Sequence, residues 1–439
     1  MKVKKINYRL IVSMIIIIIL SYTIPLTRVY PQIWTTTPIK TNLDNGTTIL
    51  FEKDESSRIT VLKFFIRGGK KADPEDKGGL FYITTRIALE IPDRQKAQDF
   101  MLQATNLSMD CENDYSVVTV TCLSEKLEDS LDIISDIMLK PLFSTLRINR
   151  IKENMLNRKK IEQDDSRNKA YQTMMKLLFK DTGYKGSVYG DELSLKKIKK
   201  KDIVDFYDTY FTTDNMIIAV STDLDKETTL KYLNQYFAEL KSGSSFKSKD
   251  LTLSSIETQS LHVPKQTKQT FISVGYRLPQ INLKNYALAL ILENLLGNGI
   301  GSKLWVLREK KKLAYNINAK INYFKNGGML EALLETENPK KEEALKAAHN
   351  TLEGLYSKGI DLEELNRTKV YTKASFLRSN ETKRERTDTM AFFEIMNLGL
   401  DSFDNIFMKI DSIDLQEMNA YLKKTLDPKN RVEVTVGPE

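Results

Sequence analysis

Apolar residues along this chain fall into two spacings. Ile59 to Ile66 is an apolar, β-branched run that stops at Gly68-Gly69, and Tyr115 to Leu123 is dense in Val and Thr; both predict strands. Thr48-Ile49-Leu50-Phe51 predicts another. Leu43-Asp44-Asn45-Gly46 precedes it, and Asn-Gly between short extended segments predicts a hairpin. Leu127, Leu131, Ile134 and Met138 instead recur at helical spacing up to Pro141, which cannot continue a helix. A shorter helix is expected to carry Tyr82 and Arg86, and a polar, lysine-rich helix to cover about residues 147–165. Met216 to Val220 reads as a later apolar strand.

The second half of the chain repeats the first. Ile198, Asp202, Ile203, Phe206, Asn215 and Ile217 are matched at a constant offset of 215 by Ile413, Glu417, Met418, Tyr421, Asn430 and Val432. One helix-then-strand unit therefore ends both halves, which predicts two similar domains and excludes a short-period solenoid. Between them, Lys241 to Lys249 is polar and Ser/Gly-rich, the composition of a flexible linker. Strands mixed with helices in each half imply an α+β fold of sheet against helices. The expected boundaries are 1–30 for an N-terminal segment, 31–240 for the first domain, 241–252 for the linker and 253–439 for the second domain.

Charge changes the picture mainly at the N-terminus. The formal net charge is +8, but residues 1–30 hold Lys2, Lys4, Lys5, Arg9 and Arg28 and no acid, so the remainder carries about +3. That mild excess gives no reason to expect nucleic acid as a partner. The basic stretch precedes an apolar run, Leu10 to Leu26, between the length of a signal-peptide core and that of a membrane span. Both a cleaved signal and a retained anchor through residues 10–26 stay open. Either one predicts an exported protein, periplasmic or held at the membrane facing outward. The two cysteines, Cys111 and Cys122, fall on strands of one hairpin turning near Asn113-Asp114, which would set Cys111 near Ser116. The reading preferred for them is two small strand residues, with a disulfide left open.

The chemistry centres on Gly79-Leu80-Phe81-Tyr82-Ile83-Thr84-Thr85-Arg86. It resembles the zinc motif of the pitrilysin/insulinase metallopeptidases, Gly-Leu-x-His-x-x-Glu-His. Laid on that motif, Tyr82 and Arg86 take the histidine positions and Thr85 that of the catalytic glutamate. Two histidines at i and i+4 share a helix face and can share a metal. Arg86 has no lone pair to give and repels a cation, and Thr85 is no general base near neutral pH. A third family ligand, a glutamate, falls near Leu156, where Asn157, Arg158 and Lys159 stand instead; Glu153 and Glu162 read as helix-surface charges. His262 and His349 are isolated from each other and from any second histidine at helical spacing. The chain is expected to bind no metal or other cofactor of its own.

The resemblance runs from about residue 41 to 437, through Lys140-Pro141-Leu142-Phe143, Tyr189-Gly190 and Val436-Gly437-Pro438. It implies the mitochondrial processing peptidase-like fold, two homologous α+β domains forming half of a clam-shell. Ser302-Lys303-Leu304 through Arg308-Glu309 to Leu313-Ala314-Tyr315 resembles the family segment whose arginine and tyrosine contact substrate and stabilise its oxyanion. Arg308 and Tyr315 keep both residue types and their spacing, although Lys303 replaces an arginine; the competing reading is a helix-end salt bridge beside a strand tyrosine. Arginine and phenol are suited to a developing negative charge. Some family members pair a zinc-bearing subunit with one that keeps only this Arg/Tyr pair. The resemblance therefore implies a zinc-motif homologue as heterodimer partner, zinc in that partner, and unfolded peptides as substrates. The alternative is an inert peptide-binding or scaffold protein of an envelope or membrane assembly. Gly297-Asn298-Gly299-Ile300-Gly301 fits no nucleotide-binding motif and reads as a loop between helices.

Overall fold

The computed structural model describes residues 36–91, 93–180, 182–247, 256–297 and 299–439. The expected signal or anchor at 1–30, and most of the linker beyond residue 247, lie outside the described residues. Residues Ile33–Glu439 form one compact unit. No helix among the described residues is long and apolar enough to cross a membrane.

Eleven strands among the described residues form two sheets. The first is built from β1 (Ile39–Asn42), β2 (Thr48–Lys53), β3 (Ile59–Arg67), β4 (Asn106–Cys111), β5 (Tyr115–Leu123) and β6 (Met216–Thr222), in the order β1-β2-β6-β3-β5-β4. The second holds β7 (Gln259–Pro264), β8 (Gln269–Leu278), β9 (Asn316–Phe324), β10 (Gly327–Glu337) and β11 (Val432–Gly437), in the order β7-β11-β8-β10-β9. Each sheet is antiparallel except for one parallel pair, β2 with β6 and β11 with β7. These parallel pairs join the closing strand of each half to an early one, a long-range pairing that local patterning does not reveal.

The first hairpin forms at Asn45-Gly46, with Asn42 opposite Thr48. Gly46 takes φ +90°, a region costly for side-chain-bearing residues, and the Asn45 Oδ1 accepts hydrogen bonds from the Thr47 amide and hydroxyl. The internal repeat is equally plain in space. Helix Lys200–Tyr210 precedes β6 as helix Leu415–Thr425 precedes β11, both at an offset of 215. Cys111 sits opposite Ser116, and both cysteines are free and buried.

The helices do not stay with the half of the chain that encodes them. Helix Ser166–Leu178, from the first half, packs on β8 and β11 of the second sheet. Its Ala170, Met174, Met175 and Leu178 join Phe271, Met329, Val432, Val434 and Val436 in one buried cluster. Gly275 on β8 makes the approach close: a Cβ there would stand 2.5 Å from the Met174 sulfur. Reciprocally, helix Lys383–Ile395, from the second half, covers β3 and β6 of the first sheet. Its Arg386 Nε donates to Glu52 at 2.8 Å and its guanidinium also reaches Asp54, while Lys383 Nζ donates to the carbonyls of Asp54, Ser57 and Ile59. Glu52 and Lys63 are thus buried charges on a sheet face that receives its counter-charges, Arg386 and Asp388, from the far half. The start of the expected linker is also held, since Lys241 O accepts from Thr213 N and Phe246 N donates to Asn215 Oδ1.

Candidate functional site

The helix Leu80–Ile87 presents the degenerate zinc motif. It starts at Gly79, in left-handed conformation, and the Asp73 carboxylate accepts from the amides of Gly79 and Phe81, both at 2.7 Å. These are orphan donors of the first turn, the groups a helix start must satisfy. Burial pushes the Asp73 carboxyl up to about 7 despite those two donors. Leu80, Phe81, Ile83 and Ile87 anchor the helix in the core.

Each motif position is committed to something other than metal. Thr85 is fully buried and its hydroxyl donates back to Phe81 O at 3.0 Å. The Tyr82 ring meets Tyr189 edge-on, centroids 4.8 Å apart, and burial raises the phenol above its ordinary pKa. Arg86 donates to Glu90 Oε1 at 2.8 Å, one turn on, and the same carboxylate also takes Arg150. The helix Thr145–Asp164, where a third ligand would come from, contributes Arg158, whose guanidinium stands over the Tyr189 ring. These groups line an open cleft of about 1150 Å³. Among its lining residues Glu90 is the one carboxylate, and it is spent on two of the three arginines. The cleft can donate hydrogen bonds to carbonyl or carboxylate oxygens and opposes a cation. Among the described residues no group of three or more His, Cys, Asp or Glu side chains is placed to hold a metal ion.

Glu162 departs from the surface charge expected of it. It is half-buried, accepts from Ser187 Oγ at 2.8 Å, and burial raises its pKa. His262 Nδ1 lies 2.8 Å from Thr435 Oγ1, and His349 Nε2 lies 2.9 Å from Glu433, so both histidines serve the second sheet.

Arg308 and Tyr315 come together on the second half. Arg308 sits on the short helix Trp305–Glu309 with its guanidinium 4.7 Å from the Trp305 ring centroid. Tyr315 lies at the entry to β9, and the two line one open pocket of about 370 Å³ with Glu337 and Lys340. The Tyr315 hydroxyl donates to Glu337 Oε1 at 2.6 Å, and Lys340 holds the same carboxylate's other oxygen at 3.0 Å. Lys303 pairs with Glu364 at 2.5 Å instead of facing this pocket. The pocket and the arginine-lined cleft share no residue. Glu337 is the member that sequence reasoning missed. Its signal was present, a carboxylate at the end of a strand paired with β9, but pairing register is not readable from one strand.

Comparison with known proteins gives this geometry its lineage. Residues 48–192 match the family described as Insulinase (Peptidase family M16), and residues 197–370 match the Peptidase M16 inactive domain. The chain belongs to the M16 peptidase family. It is a member without the metal ligands, and among its relatives is the "Non-peptidase homolog YmxG" of Helicobacter pylori. That relative is 22% identical over 381 residues, 85% of this chain and 88% of its own. The "Uncharacterized zinc protease YmxG" of Bacillus subtilis is 20% identical over 390 residues, 87% of this chain and 93% of its own. The fold matches the crystal structure of a peptidase M16 inactive domain from Pseudomonas fluorescens with a TM-score of 0.84. Identity there is 20%, over 92% of this chain and 98% of that one. A chain of complex III from Candida albicans matches with a TM-score of 0.77 at 16% identity, over 91% of this chain and 95% of that one.

Proposed function

We propose that this M16 member is the exported, non-catalytic subunit of a heterodimeric zinc peptidase. A zinc-motif homologue supplies the metal, and this chain supplies Arg308 and Tyr315 to an unfolded peptide held between the two. The observation that carries the reading is the contrast between the two sites. The zinc positions are rebuilt with Arg86 and a back-bonded Thr85, whereas Arg308 and Tyr315 line one open pocket. In the assembled site Tyr315 would exchange Glu337 for the substrate oxygen, with Glu337 and Lys340 keeping the ring within reach. Arg308 would carry the fixed charge that favours the oxyanion. This chain itself holds no zinc; the metal belongs to the partner.

The test is peptide cleavage by the purified zinc-motif homologue titrated with this chain. Activity should rise to a plateau at equimolar ratio and vanish with a chelator. Arg308→Ala should leave the complex assembled, by size-exclusion chromatography, and lower its turnover by about tenfold to a hundredfold. Unchanged turnover, or loss of the complex itself, would count against the role given to Arg308. A second reading, a peptide-binding or scaffold protein of an envelope assembly, is favoured by one feature. Arg308 and Tyr315 are already engaged, by Trp305 and Glu337, within the single chain. Cleavage that does not respond to this chain would move the assignment there.

A further inference from the structure

Where the two halves meet, a cleft of about 420 Å³ opens between elements of both. The β4–β5 turn contributes Glu112 and Tyr115, helix Leu283–Gly297 contributes Tyr286 and Glu293, β9 contributes Tyr323, and Asn380 follows helix Leu362–Arg378. The polar chemistry of these walls is one-sided. No described residue makes a hydrogen bond or ion pair to the Glu112 carboxylate, and Glu293 has a single donor, the Ile321 amide at 3.0 Å. Asn380 is only 2% exposed; its Nδ2 donates to Phe376 O, while its Oδ1 accepts from nothing among the described residues. Burial pushes both glutamates up to about 7.

Two desolvated carboxylates and an orphan buried acceptor ask for a donor. An anion would be repelled, and a neutral apolar ligand would leave all three unmet. A cation with N–H groups meets all three, and tyrosine rings favour it further through their faces. The nearby charge is Lys320, whose field reaches both carboxylates but which is exposed and pairs with neither among the described residues. Asp388, also in the wall, is held by Lys63 at 2.5 Å. We propose that this cleft binds an alkylammonium or guanidinium group on a short apolar stem, with Glu112 and Glu293 as counter-charges and Asn380 Oδ1 as a further acceptor. Such a group comes either as a free amine or as the Lys or Arg side chain of a peptide. The site is independent of the pairing with a zinc homologue.

Calorimetric titration of the full chain at pH 8 with hexylamine, and separately with the peptide acetyl-Gly-Gly-Lys-Gly-Gly-amide, reads the site. At least one probe is expected to bind, and to lose tenfold or more in affinity in both Glu112→Gln and Glu293→Gln. Each substitution removes a desolvated carboxylate, so the variants should keep or raise the thermal midpoint at pH 8. Tighter binding of hexylamine makes the source a free amine; tighter binding of the peptide makes it a basic side chain. Affinity should fall as pH drops below 7 and the glutamates take up protons. Asp110, Asp114 and Asp388 around Glu112 reinforce that uptake, and Lys320 opposes it at both. Equal binding of hexanol, unchanged affinity in both variants, or no binding of either probe at millimolar concentration would overturn the assignment.

Discussion

Arg86 is where one side chain decides the most. A guanidinium at a ligand position cannot be argued into a metal site, and here it is bound to Glu90, itself shared with Arg150. Adding zinc or removing divalent ions should therefore leave the thermal midpoint of the isolated chain unchanged; a stoichiometric zinc-dependent rise would mean that donors other than Tyr82, Thr85 and Arg86 have assembled a site. Tyr315 sits at the opposite extreme, an exposed phenol whose hydrogen bond to Glu337 holds it protonated. Tyr315→Phe should cost the assembled peptidase about tenfold or more in turnover, measured at saturating substrate, with little effect on assembly. The loss of the ligands was legible in the sequence because residue identity alone settles it. The capture of Arg86 was half legible, since Glu90 follows at i+4 on the helix face. The partnership of Tyr315 with Glu337, and that of Glu162 with Ser187, crosses 22 and 25 residues and depends on how strands and loops return.

At the scale of elements, periodicity predicted the strands and helices near the site because their apolar faces are buried by the layers around them. The repeat at 215 residues located the matching helix–strand units, since both copies keep the same buried positions. What periodicity leaves open is which sheet covers a given face. Ala170, Met174 and Leu178 look the same whether their helix lies on its own sheet or on the other. Gly275→Ala tests the observed arrangement directly. Its Cβ would enter the Met174 thioether, so the change should destabilise by about 1–3 kcal/mol in chemical denaturation, and Met174→Ala should recover part of it. Independent, additive losses would mean that the two do not touch. Asp73 can be tested at the same scale. Asp73→Ala strips the acceptor from the Gly79 and Phe81 amides and should cost about 1–3 kcal/mol.

For the whole molecule, the two exchanged helices make each sheet depend on the other half of the chain. The strongest single tie is Arg386, 5% exposed, which donates to Glu52 and reaches Asp54 across more than 330 positions of sequence. Patterning could not show it, because a charged residue on a strand or amphipathic helix reads as solvent-facing until the helix from the far half covers it. Removing one partner of a buried pair leaves its counter-charge unmet, at a cost of about 3–5 kcal/mol. Arg386→Ala should therefore lower stability by that order, with both halves unfolding in one transition because the lost contact belongs to both. The loss should also depend on pH. Burial already raises the Glu52 carboxyl above its ordinary value, while Ser221 and Arg386 draw it down. A carboxyl raised in the folded state binds its proton more tightly there than in the unfolded chain, so its contribution is most favourable at low pH and is lost as pH rises through the folded pKa. Without Arg386 the Glu52 value climbs further and that window widens upward. Denaturation of Arg386→Ala and the parent chain at pH 8 and at pH 5.5 should then show a large stability gap at the higher pH and a smaller one at the lower. A gap of equal size at both would mean that Arg386 holds the two halves together by packing and hydrogen bonding alone, with no contribution from the Glu52 charge.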